Sequence, residues 1–204
     1  MKKISVLLVA RNEETVIQKM IAGLLVSYPQ SIGEVVVVDD ASTDNTAAQV
    51  REAIAQYPGI VKLIRRDPPP GVGYAIKRGL QAISPDSEYV LSMDSDFLDA
   101  IADVGRILDA AGNGADAVMG SRFCPGGKLV GYGRAKLIAN RFFHFLVRGI
   151  LGVRQADVTN NFKLYRRDLF LRLPLRSGRF GINAEIGILP ALFGVRVCEV
   201  PVTW

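Results

Sequence analysis

Residues 4–121 alternate between apolar runs of strand length and segments of helical period, and this constrains the fold more than any other feature. "ISVLLVA" (4–10), "EVVVVD" (34–39), "IVKLIR" (60–65), "EYVLSMD" (88–94) and "DAVMGS" (116–121) read as strands. Between them, residues 13–26, 44–57, 73–83 and 100–111 repeat apolar side chains at helical spacing. Val16, Ile17, Met20, Leu24 and Leu25 share one side of the first helix, and Asp44 is placed to cap the second. Strands alternating with helices predict a mainly parallel sheet, apolar on both faces and covered by helices on each. Right-handed crossovers then bring the carboxyl ends of the strands to one edge, where such sheets bind ligands.

The polar residues collect at that edge. Val9 lies near the end of the first strand, and Arg11, Asn12 and Glu13 follow it. Val38, Asp39 and Asp40 close the second strand, Asp94, Ser95 and Asp96 the fourth, and Ser121 and Arg122 the fifth. Four strand ends offering polar groups to one edge point to a site rather than to scattered turns.

Beyond residue 122 the pattern changes. Residues 124–133 are Gly-rich and read as a loop. Residues 134–151 read as a helix apolar over much of its circumference, broken by Arg134, Lys136, Arg141 and Arg148. It fits either a core helix or one lying at a membrane interface. Charge divides at the same place. Residues 1–121 hold 11 Lys and Arg against 16 Asp and Glu, net −5, and residues 122–204 hold 14 against 4, net +10. A basic second half suits anionic partners such as phosphates or an anionic membrane surface, although a solvated basic face gives the same count.

The 204 residues, 49% of them hydrophobic, suffice for one sizeable core. Cys124 and Cys198 lack metal-ligand or redox spacing and read as free thiols. Lys2 and Lys3 precede an apolar run that stops at Arg11, which reads as a strand rather than a signal peptide. No uncharged apolar run reaches the roughly 20 residues that span a bilayer.

Asp94-Ser95-Asp96 is the sharpest chemical feature. Mg²⁺ commonly takes one or two carboxylates and completes its shell with water and phosphate oxygens. Two carboxylates at one strand end can reach a common point, but a capped turn explains the same residues when D-x-D is taken alone. In "GVGYAIKRGL", Gly71, Gly73, Ala75 and Gly79 allow a helix start to pack closely. This is not a dinucleotide fingerprint, because the third glycine of G-x-G-x-x-G is missing and the stretch follows the third strand.

Together with "VVVVDDAST", "GSRF" (120–123), "DVTNNFKLYRRDLF" (157–170), "FGINAEI" (180–186) and "CEVPVTW" (198–204), these segments resemble the family-2 glycosyltransferases of the GT-A fold. The similarity is closest to the dolichyl- or polyprenyl-phosphate sugar synthases. The resemblance implies an α/β fold with a Rossmann-like, mostly parallel central sheet flanked by helices and a C-terminal acceptor-side extension. Residues 1–121 would form the nucleotide-sugar-binding half and residues 122–204 the acceptor-side half of one catalytic domain, with the native chain expected to continue into further segments.

The resemblance also implies roles. Val9, Arg11, Glu13, Val38, Asp39, Asp40, Gly73, Asp94 and Ser95 would surround the nucleotide-sugar, a GDP- or UDP-sugar. Asp94 and Asp96 would hold Mg²⁺ or Mn²⁺ on its diphosphate. Arg122, Lys136 and Asn183 would serve the acceptor and its phosphate, while Asp96, Arg122 and Glu185 would act in catalysis. The acceptor would be a polyprenyl phosphate at the cytoplasmic face of a membrane, with no nucleic-acid partner. Leu98 stands where the subgroup often has Gln, Val9-Ala10-Arg11-Asn12-Glu13 stands for P-x-Y-N-E, and "TNNF" stands for "TSGF". A related enzyme with a hydroxyl or saccharide acceptor, or a non-catalytic nucleotide-binding or membrane-associated module, remains the alternative.

Overall fold

The computed structural model describes residues 3–129 and 133–203. Residues 130–132 of the Gly-rich loop and Trp204 of the last motif lie outside the described residues. The elements follow one another as β1 (Ile4–Ala10), α1 (Ile17–Ser27), β2 (Ile32–Asp40), α2 (Thr46–Gln56), β3 (Val61–Arg66), α3 (Val72–Leu80) and β4 (Tyr89–Asp94). A 3-10 turn (Leu98–Asp103), α4 (Val104–Gly112), β5 (Ala117–Ser121), α5 (Arg134–Leu151), β6 (Lys163–Arg166), α6 (Arg167–Arg172), α7 (Gly181–Leu192) and β7 (Val197–Pro201) complete the chain.

Seven strands form one sheet in the order β3-β2-β1-β4-β6-β5-β7. β6 runs antiparallel to both β4 and β5, and the other pairings are parallel. Because strand side chains alternate in direction, β1 sends Ile4, Val6, Leu8 and Ala10 to one face and Leu7 to the other. On the first face they meet Ile17, Met20, Ile21 and Leu24 of α1, Val50 of α2 and Ile107 of α4. On the second, Ala75 and Ile76 of α3, Phe170 of α6, and Ile182 and Ile186 of α7 cover the sheet. Burial on both faces explains why β1, β2, β4 and β5 read as mainly apolar runs, while β3, at the sheet edge, is only partly buried and carries Lys62 and Arg65.

Several boundaries differ from the sequence expectation. The first helix starts at Ile17 rather than residue 13. Residues 12–14 are held by the start of α2 instead: Thr46 Oγ1 accepts the Glu13 N–H at 2.7 Å, and Asp44 Oδ2 accepts the Glu14 N–H at 3.2 Å. Asn45, not Asp44, occupies the N-cap position of α2, although Asp44 Oδ1 still accepts the Thr46 N–H at 2.9 Å. The helix expected over 100–111 divides into the 3-10 turn and α4. α3 ends at Leu80 rather than residue 83. β6, β7, α6 and α7 had no counterpart in the sequence reading. Cys124 and Cys198 are free thiols.

Candidate active site

Parallel register gathers the acidic strand ends. Val9 lies opposite Asp94 across β1 and β4, and Ala10 lies opposite Asp39 across β1 and β2. Ser95 then donates its hydroxyl proton to the Val9 carbonyl at 2.8 Å, tying the D-x-D turn to β1. Asn12, two residues after the end of β1, takes a positive φ of 59°. Its Oδ1 accepts the Thr43 N–H at 2.9 Å, and its own N–H reaches Ser42 Oγ at 3.0 Å, which locks the two loops together.

Asp94 and Asp96 differ in environment. Asp96 is exposed, while Asp94 is half-buried. Burial, reinforced by the Asp96 charge, pushes the Asp94 carboxyl up to about 6, against the pull of Asn161, Lys163 and Arg122. Glu13 is raised as well, by burial and then by Asp96, Asp44 and Asp94. Three mutually repelling carboxylates therefore lie close together at this edge, an arrangement that a divalent cation relieves. Among the described residues, no three or more His, Cys, Asp or Glu side chains close a metal shell on their own. A pair of carboxylates fits a hard cation that takes its remaining oxygens from a diphosphate and water.

An internal relay orients the inner carboxylate. Ser92 Oγ donates to Asn161 Oδ1 at 2.7 Å, and Asn161 Nδ2 donates to Asp94 Oδ1 at 3.1 Å. Asn161 is the second Asn of "TNNF", where the resembled motif has Gly, so this departure places a donor on the candidate metal ligand. Lys163, fully buried at the start of β6 two residues after Asn161, donates its ammonium protons to the Asn160 and Asn183 carbonyls. Its burial pushes its pKa down to about 7, against the opposing charges of Asp157 and Asp94.

The Asp94 shift carries a stability consequence. Its folded value lies above the ordinary carboxylate range, so the folded state holds the proton more tightly than the unfolded one. Stability is therefore full below about pH 4 as far as this group is concerned, and is lost as pH rises through about 6. Asp94→Asn is expected to raise the stability of the metal-free protein above about pH 6 by on the order of 1–2 kcal/mol. Urea denaturation on both sides of that window checks this, the variant's advantage vanishing at the acid end.

The second acidic pair is already engaged. Asp39 Oδ2 pairs with Arg65 Nε at 3.1 Å, and Oδ1 accepts the Ser42 N–H at 3.0 Å. Asp40 pairs with Arg66 and accepts the Gly71 N–H at 2.6 Å, fixing the start of α3. There α3 presses on residues 177–178. A Cβ at Gly73 would lie 2.4 Å from the Ser177 carbonyl oxygen, so only glycine fits. Arg11 is exposed, and Val38 is buried within β2.

Arg122 is not a loose cation. Its Nε and Nη2 bond both oxygens of Asp157, at 2.6 and 2.9 Å, and Nη2 also reaches Thr159 Oγ1 at 3.1 Å. The Arg122 pair, outweighing burial, holds the Asp157 carboxyl below the usual range. Glu199 Oε1 accepts the N–H groups of Ala156 and Asp157 at 2.8 and 3.0 Å. His144 is buried on α5: its Nδ1 bonds the Asn140 carbonyl at 2.7 Å, while Nε2 accepts the Val158 N–H at 2.9 Å. It is thus the neutral Nδ1-protonated form, and burial lowers its pKa further. The sequence singled out Arg122 but assigned no role to Asp157, Glu199, Asn161 or Lys163. The last two stand in the quoted "TNNFK", and the first two in motifs whose contacts span the second half of the chain.

Glu185 accepts the Arg176 and Ser177 N–H groups at 2.8 and 2.9 Å, so its carboxylate shapes the 176–177 loop against α3. Asn183 Oδ1 is a buried acceptor without a hydrogen-bond partner. Lys136 lies exposed on the first turns of α5.

A mostly parallel sheet with helices on both faces and a D-x-D at its carboxyl edge defines an α/β protein of the GT-A type. The chain belongs to glycosyl transferase family 2, whose model matches residues 5–173. It is similar to polyprenol monophosphomannose synthase of Mycolicibacterium smegmatis, 29% identical over 83% of this chain and 66% of that protein. It is also similar to dolichol-phosphate mannosyltransferase of Pyrococcus furiosus, 33% identical over 99% of this chain and 56% of that protein. The chain therefore spans less than two thirds of either curated relative. Among solved structures, glucosyl-3-phosphoglycerate synthase from Mycobacterium tuberculosis in complex with Mn²⁺ and UDP-glucose superposes with a TM-score of 0.75. The identity there is 25%, over 99% of this chain and 70% of that one.

Proposed function

We propose that this chain carries the catalytic site of an inverting glycosyltransferase that moves a sugar from a nucleotide-sugar to a polyprenyl phosphate. The observation that carries the reading is the convergence of Asp94, Asp96 and Glu13 on one edge, with Arg122 and Lys163 behind Asp94. The names of the two curated relatives support the donor-to-lipid-phosphate direction.

Asp94 and Asp96 would hold a divalent cation, Mg²⁺ or Mn²⁺, which when bound neutralises the donor diphosphate and eases its departure. Asn161 keeps Asp94 turned toward that position. Glu13, Asp39, Asp40 and the Gly71–Gly73 backbone wall the nucleoside side of the crevice, with Val9, Arg11, Val38 and Ser95 completing it. Arg122, oriented by Asp157, and Lys136 on α5 meet phosphate, and the unpartnered Asn183 Oδ1 is placed to accept a hydroxyl of sugar or acceptor. Glu185 positions the loop between α3 and α7 that borders the same crevice.

The acceptor phosphate is already anionic and needs no strong base. One of its oxygens bonds to the anomeric carbon as the bond to the donor diphosphate breaks, the electron pair leaves with the nucleoside diphosphate, and the configuration inverts. The second half of the site, residues 122–204, serves the acceptor side, and the enzyme works peripherally at a membrane.

A hydroxyl acceptor is the second reading, favoured by the likeness to glucosyl-3-phosphoglycerate synthase, whose complexes contain phosphoglyceric acid. Radiolabelled GDP- and UDP-sugars with Mn²⁺, offered polyprenyl phosphate or 3-phosphoglycerate, separate the two. A lipid-extractable sugar product supports the first reading. A water-soluble glycoside alone replaces it with the second.

A further inference from the structure

The two oxygens of Asp94 are not equivalent. Oδ1 accepts the Asn161 amide at 3.1 Å, while among the described residues no hydrogen bond reaches Oδ2. The register explains why Asn161 arrives there. Ser92 pairs with Lys163 across the antiparallel β4 and β6. Asn161 stands two residues before Lys163, and Asp94 two residues after Ser92, so the count brings both to the same end of β4.

The amide is locked in one orientation. Ser92 Oγ donates to Asn161 Oδ1 at 2.7 Å, and both residues are fully buried. Turning the amide over would set its oxygen against the Asp94 carboxylate and leave a buried acceptor without a donor. The nearby Lys163 ammonium donates to the Asn160 and Asn183 carbonyls instead of to Asp94. The group on Oδ1 is therefore a neutral donor. It engages one oxygen without cancelling the negative charge, which stays available to a cation through Oδ2.

The divalent cations respond differently to such a ligand. Ca²⁺ takes about six to eight oxygens in flexible geometry and often grips both oxygens of one carboxylate. Mg²⁺ demands near-ideal octahedral geometry and is served by one or two carboxylates with phosphates and water. Mn²⁺ accepts the same octahedral oxygen set. The rest of this edge also offers few oxygens: Leu98 supplies none, and among the described residues no three or more His, Cys, Asp or Glu side chains form a group that could hold a metal.

We propose that Asn161, locked by Ser92, holds Asp94 as a one-oxygen ligand and so makes this site select a small octahedral cation, Mg²⁺ or Mn²⁺, over Ca²⁺. The inference rests on the reading of Asp94 and Asp96 as the cation site. Asn161 is a positioning residue in it, acting through Asp94 rather than on the cation or the substrate.

Mn²⁺ titration of the 204-residue chain, followed by electron paramagnetic resonance with Ca²⁺ and Mg²⁺ as competitors, tests this without any turnover. In the parent, Mg²⁺ should displace Mn²⁺ at lower concentration than Ca²⁺ does. Asn161→Leu removes the amide at similar volume and should shift the Ca²⁺-to-Mg²⁺ ratio toward Ca²⁺ by on the order of tenfold, the scale of losing a partner behind a metal ligand. Ser92→Ala keeps the amide but unlocks it, and should shift the ratio the same way by less. A ratio measured on one sample is not moved by a fraction of unfolded protein, and Ser92→Ala carries the test where Asn161→Leu does not fold. Variants that bind Mn²⁺ with the parent's ratio overturn this inference and leave the glycosyl-transfer reading standing. So does a parent that binds Ca²⁺ as tightly as Mg²⁺, or a folded variant that loses all three cations alike. A parent that binds no divalent cation overturns both.

Discussion

Asp96→Ala is expected to lose metal-dependent donor binding and to slow sugar transfer by on the order of 10²–10³-fold, the scale of removing one preorganised electrostatic stabiliser. The side chain is exposed at the mouth of the crevice, so its loss removes little packing and the melting temperature of the metal-free protein should barely move. It should, if anything, rise, because Asp96 is one of the charges that push the Asp94 and Glu13 carboxyls up. A drop in activity accompanied by equal loss of folded protein would point to a structural role instead. Leu98 makes the expectation stronger. A leucine cannot supply a polar partner, so the Asp pair must carry the protein's share of the metal shell.

Asp157→Ala is expected to cost about 3–5 kcal/mol of stability, because it leaves the nearly buried Arg122 guanidinium without its counter-charge. The same carboxylate also accepts the Arg122 and Thr159 N–H groups and lies 3.7 Å from His144. Its loss thus frees the segment between α5 and β6. Melting or urea denaturation reads the stability, and Asp157→Asn separates charge from shape by keeping one acceptor while removing the ion pair. An Asp157→Ala variant as stable as the parent would show that Arg122 finds water or another partner at no cost. Arg122 would then be available to phosphate without being oriented, contrary to the reading above.

The parts of this molecule legible in the sequence are those fixed by local pattern. β1, β2 and β4 are buried on both faces, so their apolar runs stand out, and α5 begins and ends where its helical period does, closed by Gly152 at φ 68°. β6 is four residues long and antiparallel, and it opens on a buried lysine, so "KLYR" carries no strand signal. β7 is half-buried throughout and ends in a proline, which mutes its alternation. At the site, the carboxylates were legible because strand ends in such sheets meet at one edge. What holds them was not: Asn161 reaches Asp94 across 67 residues and Asp157 reaches Arg122 across 35. Spacing along the chain does not encode contacts of that range. The nature of α5 needed the structure too, since apolar and basic residues in that order suit both a buried and an interfacial helix until exposure is known.

The most direct measurement of the central claim is calorimetric titration of UDP and GDP into the 204-residue chain, with and without Mn²⁺, for the parent protein and for Asp96→Ala. The expected result is tight binding of at least one nucleotide in the presence of Mn²⁺, much weaker binding without it, and no Mn²⁺ effect in the variant. Nucleotide binding of equal strength with and without the cation, or a Mn²⁺ effect that survives in Asp96→Ala, would contradict a metal held on the D-x-D at this edge.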